Sequence, residues 1–392
     1  MLTTIFWILL GIILYTYLGY TILLMLLNLF KILIRIFRKP LKQAEQVEEV
    51  TLLIAAYNES GIIESKMQNS ESINYPAEKL RIVWITDGSD DNSQNILKQF
   101  KGITILHQDK REGKTAALNR AMKHIDTPYT VFCDANTMLH PDAIRFMVSE
   151  FSDPRVGCVA GEKRIEKKES ESAAGSGEGA YWKYESFIKK LESDLYTTLA
   201  AAGELYAIRT SLYEKVDNDI IIDDFFISMN IARKGYRIKY APKAFALEKP
   251  SANIREELKR KVRIASGGIQ TIFRMPSLLN IFRYGFLSFE FISHKFLRWT
   301  LVPMAIPAIF VLNLIICLKT DFSLPLFLSL FALQVLFYII VLLGVLFERR
   351  STRFKFLFLP LYIVIMNYAQ IAGLSRFLGR KHSVVWEKAK RS

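Results

Sequence analysis

Cysteine is scarce in this chain. Cys133, Cys158 and Cys317 are the only three in 392 residues, and none stands at a paired or metal-type spacing. That excludes a disulfide scaffold and a cysteine zinc site, and it fits a reducing compartment. The stretch G-x-x-x-x-G-K-[ST] is missing, so the chain has no P-loop. No internal repeat and no low-complexity tract occurs. The apolar stretch at residues 3–30 lacks the basic lead-in and the small-residue cleavage site of a secretory signal. A retained anchor is therefore expected, not a removed leader.

What the chain does have is apolar residues, 51% of the total, and an excess of base, 52 Lys and Arg against 38 Asp and Glu. Such a net charge of +14 first suggests nucleic acid. Much of the excess, however, flanks apolar segments, as the positive-inside rule expects of membrane proteins. No nucleic-acid partner is expected; membrane lipid is. Residues 3–30 carry no charge and exceed the roughly 20 residues that a spanning helix needs. Lys31, Arg35, Arg38, Lys39 and Lys42 follow directly and put that end in the cytoplasm. Residues 277–299 mix aromatics with His294, Lys295 and Arg298 and read as an interfacial helix. Residues 300–318 and 324–347 read as two spans, and 354–374 is a third apolar stretch that contains Pro360 and Asn367. Three full spans would put the tail outside, yet Arg376, Arg380, Lys381, Lys388, Lys390 and Arg391 favour the cytoplasm. The conflict predicts a re-entrant or interfacial last segment.

Between the apolar ends, strand-like and helix-like patterns alternate. Strands are predicted at residues 50–55, 80–86, 103–107, 129–133 and 156–160, with helices such as 113–124 and 141–151 among them. This alternation means right-handed βαβ units and an α/β domain with a mainly parallel sheet. Residues 162–179 are polar and rich in Gly and Ser, which predicts a loop, and Tyr181-Trp182-Lys183-Tyr184 then opens a helix.

Four clusters follow short apolar runs in this region: Ala55-Ala56-Tyr57-Asn58-Glu59, Thr86-Asp87-Gly88-Ser89, Asp134-Ala135-Asn136 and Asp223-Asp224. They fall at strand ends, where open α/β sheets bind ligands. Asp87 is suited to accept a hydrogen bond from a nucleobase or ribose, with Tyr57-Asn58-Glu59 beside it; a plain turn and helix cap is the other reading. Asp134, with the Asn136 oxygen two residues on, can hold Mg²⁺ or Mn²⁺ against a diphosphate; turn formation competes. Asp223 and Asp224 are either a buried pair with one general base, or acids at an exposed helix N-terminus. Lys110-Arg111-Glu112-Gly113-Lys114 and Arg260-Lys261-Val262-Arg263 are basic, and each reads as an anion clamp or as a solvated face. Tyr181, Trp182 and Tyr184 read as a sugar-stacking surface or as core.

In the order of these clusters the chain resembles the membrane-bound family-2 glycosyltransferases, and most of all the bacterial polysaccharide synthases of the cellulose, hyaluronan and poly-N-acetylglucosamine type. The resemblance covers residues 50–275 and extends to the terminal apolar segments. It implies a GT-A (Rossmann-like) domain and inverting transfer from a UDP-sugar donor to a glycan or lipid-linked acceptor. By the same resemblance Tyr57, Glu59, Asp87 and Lys114 bind the donor. Asp134 and Asn136 stand at the metal motif, Asp224 is the base with Asp223 beside it, and Gly203 to Arg209 is the acceptor-side G-x-x-x-x-x-R segment. Apart from the resemblance, Trp182 of the sugar-stacking group is assigned to the acceptor. Arg260 and Arg263 match the Q-x-x-R-W motif, with Arg260 in place of its Gln and Ile264 in place of its Trp. Asn136 replaces the second metal-motif Asp.

The expected organisation is an anchor at 1–31, the transferase domain at 44–275, interfacial helices at 276–299, an apolar region at 300–375 and a basic tail at 376–392. With so few spans, export of a polymer calls for a homo-oligomer or a small membrane partner.

Overall fold

The computed structural model describes residues 1–35, 47–166, 173–249, 254–347 and 358–379. Arg38, Lys39, Lys42 and the tail from Arg380 onward lie outside the described residues. Strands are numbered β1–β8 and helices α1–α15 in chain order. The described residues group into two compact units.

One unit is built on a single sheet in the order β3-β2-β1-β4-β7-β6-β8-β5. Strands β1 (Val50–Ala56), β2 (Leu80–Asp87), β3 (Ile103–Gln108) and β4 (Tyr129–Asp134) run parallel. All seven residues of β1 are buried, as its unbroken apolar run requires of a strand covered on both faces. On one face, helices α3 (Ile63–Glu71) and α6 (Ala143–Glu150) supply Met67, Ile144 and Met147 to a core with Leu52, Ile54 and Trp84. Helices α4 (Ser93–Leu97), α5 (Lys114–Ala121) and α8 (Asp223–Arg233) complete the unit. Because β1, β2 and β4 are parallel and adjacent, their C-terminal ends deliver three of the four clusters to one edge.

Three strands lie beyond the sequence reading: β5 (Thr137–Leu139), β7 (Leu205–Arg209) and β8 (Arg237–Glu248). β7 is antiparallel to both neighbours, β4 and β6 (Val156–Ile165). β8 runs parallel to β6 and antiparallel to β5. It accommodates Pro242 where its register with β6 shifts, a position at which no ladder N–H is needed. The loop predicted at 162–179 is corrected at both ends. β6 continues to Ile165, and α7 (Ala173–Leu195) already contains residues 173–179. The polar strand residues are tolerated because Lys163 is buried between Glu204 and Glu248.

The other unit holds the apolar helices. α1 (Leu2–Leu14), a π-helical turn at Tyr15–Gly19 and α2 (Tyr20–Arg35) form one continuous rod. Together with α13 (Leu301–Lys319), α14 (Pro325–Phe347) and α15 (Phe358–Leu378), that makes four helices long and apolar enough to cross a membrane among the described residues. Phe6 packs with Ile316, Cys317 and Phe327 to join α1 to α13 and α14. α9 (Ile254–Arg274) lies so close to α15 that a Cβ on Gly373 would stand 2.5 Å from Cβ of Ala265.

One expectation changes here. Residues 277–299 form no single interfacial helix. They break into α10 (Ile281–Tyr284), α11 (Phe286–Glu290), a π-helical turn at Phe291–Phe296 and α12 (Leu297–Trp299). Gly285, at φ +52, turns the chain between α10 and α11. From Phe358 to Leu378 the last apolar segment is one uninterrupted helix. Pro360 falls in its first turn, where backbone N–H groups have no helical acceptor anyway. Asn367 donates to the Ile363 carbonyl at 2.8 Å and to the Tyr17 hydroxyl at 3.0 Å.

Candidate active site

At the end of β2, Asp87 is an organiser. Its Oδ2 accepts the backbone N–H groups of Glu112 and Gly113 at 2.9 and 2.7 Å, and Arg120 donates to Oδ1 at 3.1 Å. These bonds draw residues 110–113 against the turn at Gly88. That glycine sits at φ +64, and any Cβ there would stand 2.6 Å from Cβ of Arg111, so no other residue fits the close approach. Across the gap, the Arg111 guanidinium stacks 3.6 Å above the ring of Tyr57 at the end of β1. A shallow recess beside this stack is lined by Tyr57, Ile85, Asp87, Arg111, Gly113 and Lys114.

The loop after β1 forms the wall of this edge. Asn58, in the left-handed region at φ 52, donates to Asp90 Oδ1 at 2.6 Å and accepts the Asp90 N–H at 3.0 Å. Glu59 is buried, and its N–H donates to Ser93 Oγ at 3.1 Å.

The acids gather around Lys114, the first residue of α5. Its Nζ lies 2.7 Å from Asp134 Oδ1 and 3.8 Å from Asp223 Oδ2. Asp223 and Asp224 reach this point because α5 holds the segment before α8. Thr115 donates to the Ile220 carbonyl at 3.0 Å and Asn119 to the Val216 carbonyl at 2.7 Å. The two acids open α8, so they stand at a helix N-terminus and in a buried cluster at once. A Cβ on Gly203 would stand 3.3 Å from Asp224 Oδ2 and 3.7 Å from Lys114 Nζ; glycine keeps that face of Asp224 open.

Sequence reasoning missed Glu204, Lys163 and Glu248. Lys163 Nζ binds Glu204 Oε1 at 2.7 Å and also pairs with Glu248. The negative charges of Glu204 and Glu248 act on Asp134, and that of Glu204 acts on Asp224. Among the ion pairs of the described residues, five carboxyls (Asp134, Glu204, Asp223, Asp224 and Glu248) thus lie about two lysines, Lys114 and Lys163. The surplus has consequences. Burial, and then the Asp223 charge, push the Asp224 carboxyl up to about 7, against the pull of Lys114. Burial likewise raises Asp134. For Lys114 burial works to lower the value, but Asp134 and Asp223 outweigh it and hold the amine above its ordinary range. The one sequence signal for Glu204 was its place next to Gly203.

Tyr57, Asp87, Lys114, Asp134, Gly203, Asp223 and Asp224 therefore come together, with Asn136 two residues past Asp134 and Glu59 in the adjoining loop. Arg209 does not join them. It lies at the other end of β7, opposite Tyr129, and its guanidinium donates to the carbonyls of Val156 (2.8 Å), Phe151 (2.7 Å) and Asp153 (3.2 Å). The expectation of an acceptor contact from Arg209 is corrected to a tie that holds the turn before β6. Arg260, Arg263 and Trp182 belong to the other unit. There Arg260 pairs with Glu257 at 3.1 Å, and Lys261 Nζ stands 4.8 Å from the Trp182 ring centre.

The donor set fits a hard divalent cation. Asp134 offers carboxylate oxygen in a cluster that is short of positive charge. Among the described residues no group of three or more His, Cys, Asp or Glu is placed to hold a metal ion, so a divalent cation here would rest on Asp134 and draw its remaining oxygens from a bound diphosphate.

A sheet of this order, with an aromatic-floored recess after β1 and β2 and acids at the ends of β4 and at α8, defines a glycosyltransferase of GT-A fold. The whole chain superimposes at a TM-score of 0.71 on a mannosyltransferase from Pyrobaculum calidifontis, solved with GDP-mannose and Mn²⁺; the match covers 97% of this chain and 100% of that one at 21% identity. The chain belongs to the glycosyltransferase like family 2, whose family model matches residues 48–267. It is 31% identical over 249 residues to the poly-beta-1,6-N-acetyl-D-glucosamine synthase of Staphylococcus aureus (strain MSSA476), which covers 60% of this chain and 58% of the relative. The Staphylococcus epidermidis enzyme of the same name is 30% identical over 240 residues, 59% and 57% of the two chains. The match thus spans under three fifths of the length of these relatives.

Proposed function

We propose that this glycosyltransferase moves a hexose or N-acetylhexosamine from a UDP-sugar to a growing β-linked polysaccharide at the inner membrane, with its catalytic unit in the cytoplasm. The observation that carries the reading is the grouping of Lys114, Asp134, Asp223 and Asp224 at the mouth of the recess that Tyr57 and Asp87 line. The nucleotide enters beside the stacked Tyr57 and Arg111, with Asp87 beneath it. Lys114 reaches its phosphates. A Mg²⁺ or Mn²⁺ ion held by Asp134, with Asn136 beside it, would carry charge from the departing diphosphate. Asp224 takes the proton of an acceptor hydroxyl, the hydroxyl oxygen bonds to the anomeric carbon from the opposite face, and the carbon–oxygen bond to UDP breaks with its electron pair on the diphosphate. Arg260 and Arg263 are donor-side candidates, and Trp182 an acceptor-side candidate. The names of the staphylococcal relatives favour an N-acetylhexosamine.

One observation favours a second reading. Ile264 stands where the Q-x-x-R-W motif ends in Trp, so transfer of a single sugar to a lipid-linked acceptor is the alternative. The test is UDP release from purified membranes against a panel of nucleotide sugars, followed by sizing of the product. A long polymer supports the first reading and a one-sugar lipid product the second; no UDP release with any donor removes both.

A further inference from the structure

Lys66 takes no part in the acid cluster, yet it is wholly buried. A lysine inside a core is costly, because its amine leaves water and must be met by hydrogen bonds. Here neither partner is an acid. Nζ donates to the Thr137 carbonyl at 2.7 Å and to Sγ of Cys133 at 3.1 Å. Those two residues flank Asp134-Ala135-Asn136. One amine thus ties β4 to the first residue of β5, across the turn that presents the metal-motif oxygens. The turn is also closed from within. Thr137 Oγ1 donates to the Asp134 carbonyl at 2.9 Å and lies 3.2 Å from Cys133 Sγ, and the Ala135 N–H donates to the Ala55 carbonyl at 3.3 Å.

Lys66 reaches this turn from the reverse face of the sheet. Successive side chains of a strand point to opposite faces. Cys133 faces α3, in the core that Met67 joins, while Asp134 meets Lys114 of α5. Lys66 therefore acts on Asp134 through the backbone. One turn further along α3, Asn69 donates to the Leu139 carbonyl at 2.9 Å and accepts the Leu139 N–H at 2.8 Å. β5 is the last strand of the sheet and pairs with β8 alone. The two α3 side chains take up backbone groups of β5 that a further strand would otherwise meet.

We propose that Lys66 is a positioning residue for the metal motif: by bridging Cys133 and the Thr137 carbonyl it fixes the turn that carries Asp134 and Asn136. This rests on the reading of Asp134 as the acid that holds the cation. It adds a residue to the site that none of the four clusters contains.

The test is Lys66→Met in the full chain, purified in detergent. The substitution keeps an unbranched apolar side chain and removes the donors. Amide hydrogen exchange of the metal-free protein should quicken at residues 134–139 and stay as in wild type over β1 and β2. Groups that orient a metal ligand are worth about 10- to 100-fold in metal affinity, so the Mn²⁺ concentration for half-maximal UDP release should rise about tenfold or more, with kcat at saturating Mn²⁺ within about threefold. Lys66→Gln keeps a donor on a shorter stem and should fall between wild type and Lys66→Met; it carries both measurements if Lys66→Met does not fold. An unmoved Mn²⁺ midpoint overturns the proposal. Exchange that quickens through the whole sheet, with a loss of kcat that excess Mn²⁺ does not restore, also overturns it, since that marks a packing role alone. Excess EDTA separates the two ideas. If wild type keeps its full rate there, the metal reading fails; if wild type needs metal and Lys66→Met matches it in midpoint and exchange, the metal reading stands and the lysine proposal alone fails.

Discussion

Glu185 is buried with His294 at 3.2 Å, Lys295 at 3.7 Å and Arg298 in direct contact, whereas the five carboxyls of the sheet unit lie about Lys114 and Lys163. Each unit buries ionised side chains, and the balance differs. Around Glu185 the acid is outnumbered. Burial alone would raise its carboxyl, but Arg298, Lys295 and His294 hold it well below the usual range, so it stays charged at every ordinary pH. Around Asp224 the base is outnumbered, and the carboxyl rises to about 7. A fully compensated cluster exchanges no proton and holds helices together. An undercompensated one exchanges a proton near neutrality and leaves room for a cation.

Crossed substitutions give the largest effects. Asp224→Asn should cut UDP release about 10²–10⁴-fold with donor binding retained, and should not lower the unfolding temperature, since it removes like-charge repulsion. Glu185→Gln should do the reverse. Leaving Arg298 buried without its carboxylate costs about 3–5 kcal/mol in detergent unfolding. If Asp224→Asn unfolds the protein, or Glu185→Gln leaves its stability intact, the contrast between the clusters collapses.

Next in size is metal. Asp134→Ala should lose UDP binding together with turnover, measured by calorimetry with UDP and Mn²⁺. Full activity in excess EDTA would end the metal reading. Asn136→Asp adds the commoner ligand and should stay within about threefold of wild type; a dead variant would mean that the neutral amide is needed where acid is already in surplus.

The pH dependence follows from Asp224. Its folded value lies above its ordinary one, so the folded state binds the proton more tightly. Stability is then full below the ordinary carboxylate range, falls as pH rises from there to about 7, and is flat above. Activity runs the other way, because the base must be ionised, and its acid limb should lie near 7. Asp224→Asn should flatten the stability curve in that window. A curve that still slopes there assigns the proton to another group.

How much of this was legible in the sequence depends on the kind of signal. β1, β2, β3, β4 and the start of β6 show in apolar runs, and the edge they build follows from their being parallel. β7 did not show, because Leu205–Arg209 is short and looked like a motif rather than a strand. β8 was hidden by Pro242 and by the alternation of Lys and Tyr with Ala. The site acids Asp134, Asp223 and Asp224 could be read because acids after apolar runs are costly to bury. Glu204, Lys163 and Glu248 could not, since only the pairing of β6 with β8 brings them together. Arg209 misled because its spacing from Gly203 ignores that a strand of five residues carries its two ends far apart.

The smallest effect concerns Ile264. The Q-x-x-R-W motif that residues 260–264 resemble ends in Trp, and its absence makes Ile264→Trp the natural way to ask whether product length depends on that indole. The structure argues for a modest answer. Gly268, one turn along α9 on the same face, is covered by the ring of Trp299, close enough that a Cβ on the glycine would stand 2.4 Å from it. Lys295 Nζ lies 5.6 Å from that ring centre. An aromatic face is therefore already present beside position 264, and it comes from α12 instead of α9. Ile264→Trp at this half-buried position should leave UDP release within about twofold and should lengthen the product only slightly. Trp299→Leu should shorten it more than Ile264→Trp extends it, with Gly268 unchanged in both. If Ile264→Trp converts short products to long polymer while Trp299→Leu changes nothing, the missing Trp alone limits processivity and the indole from α12 has no part in it.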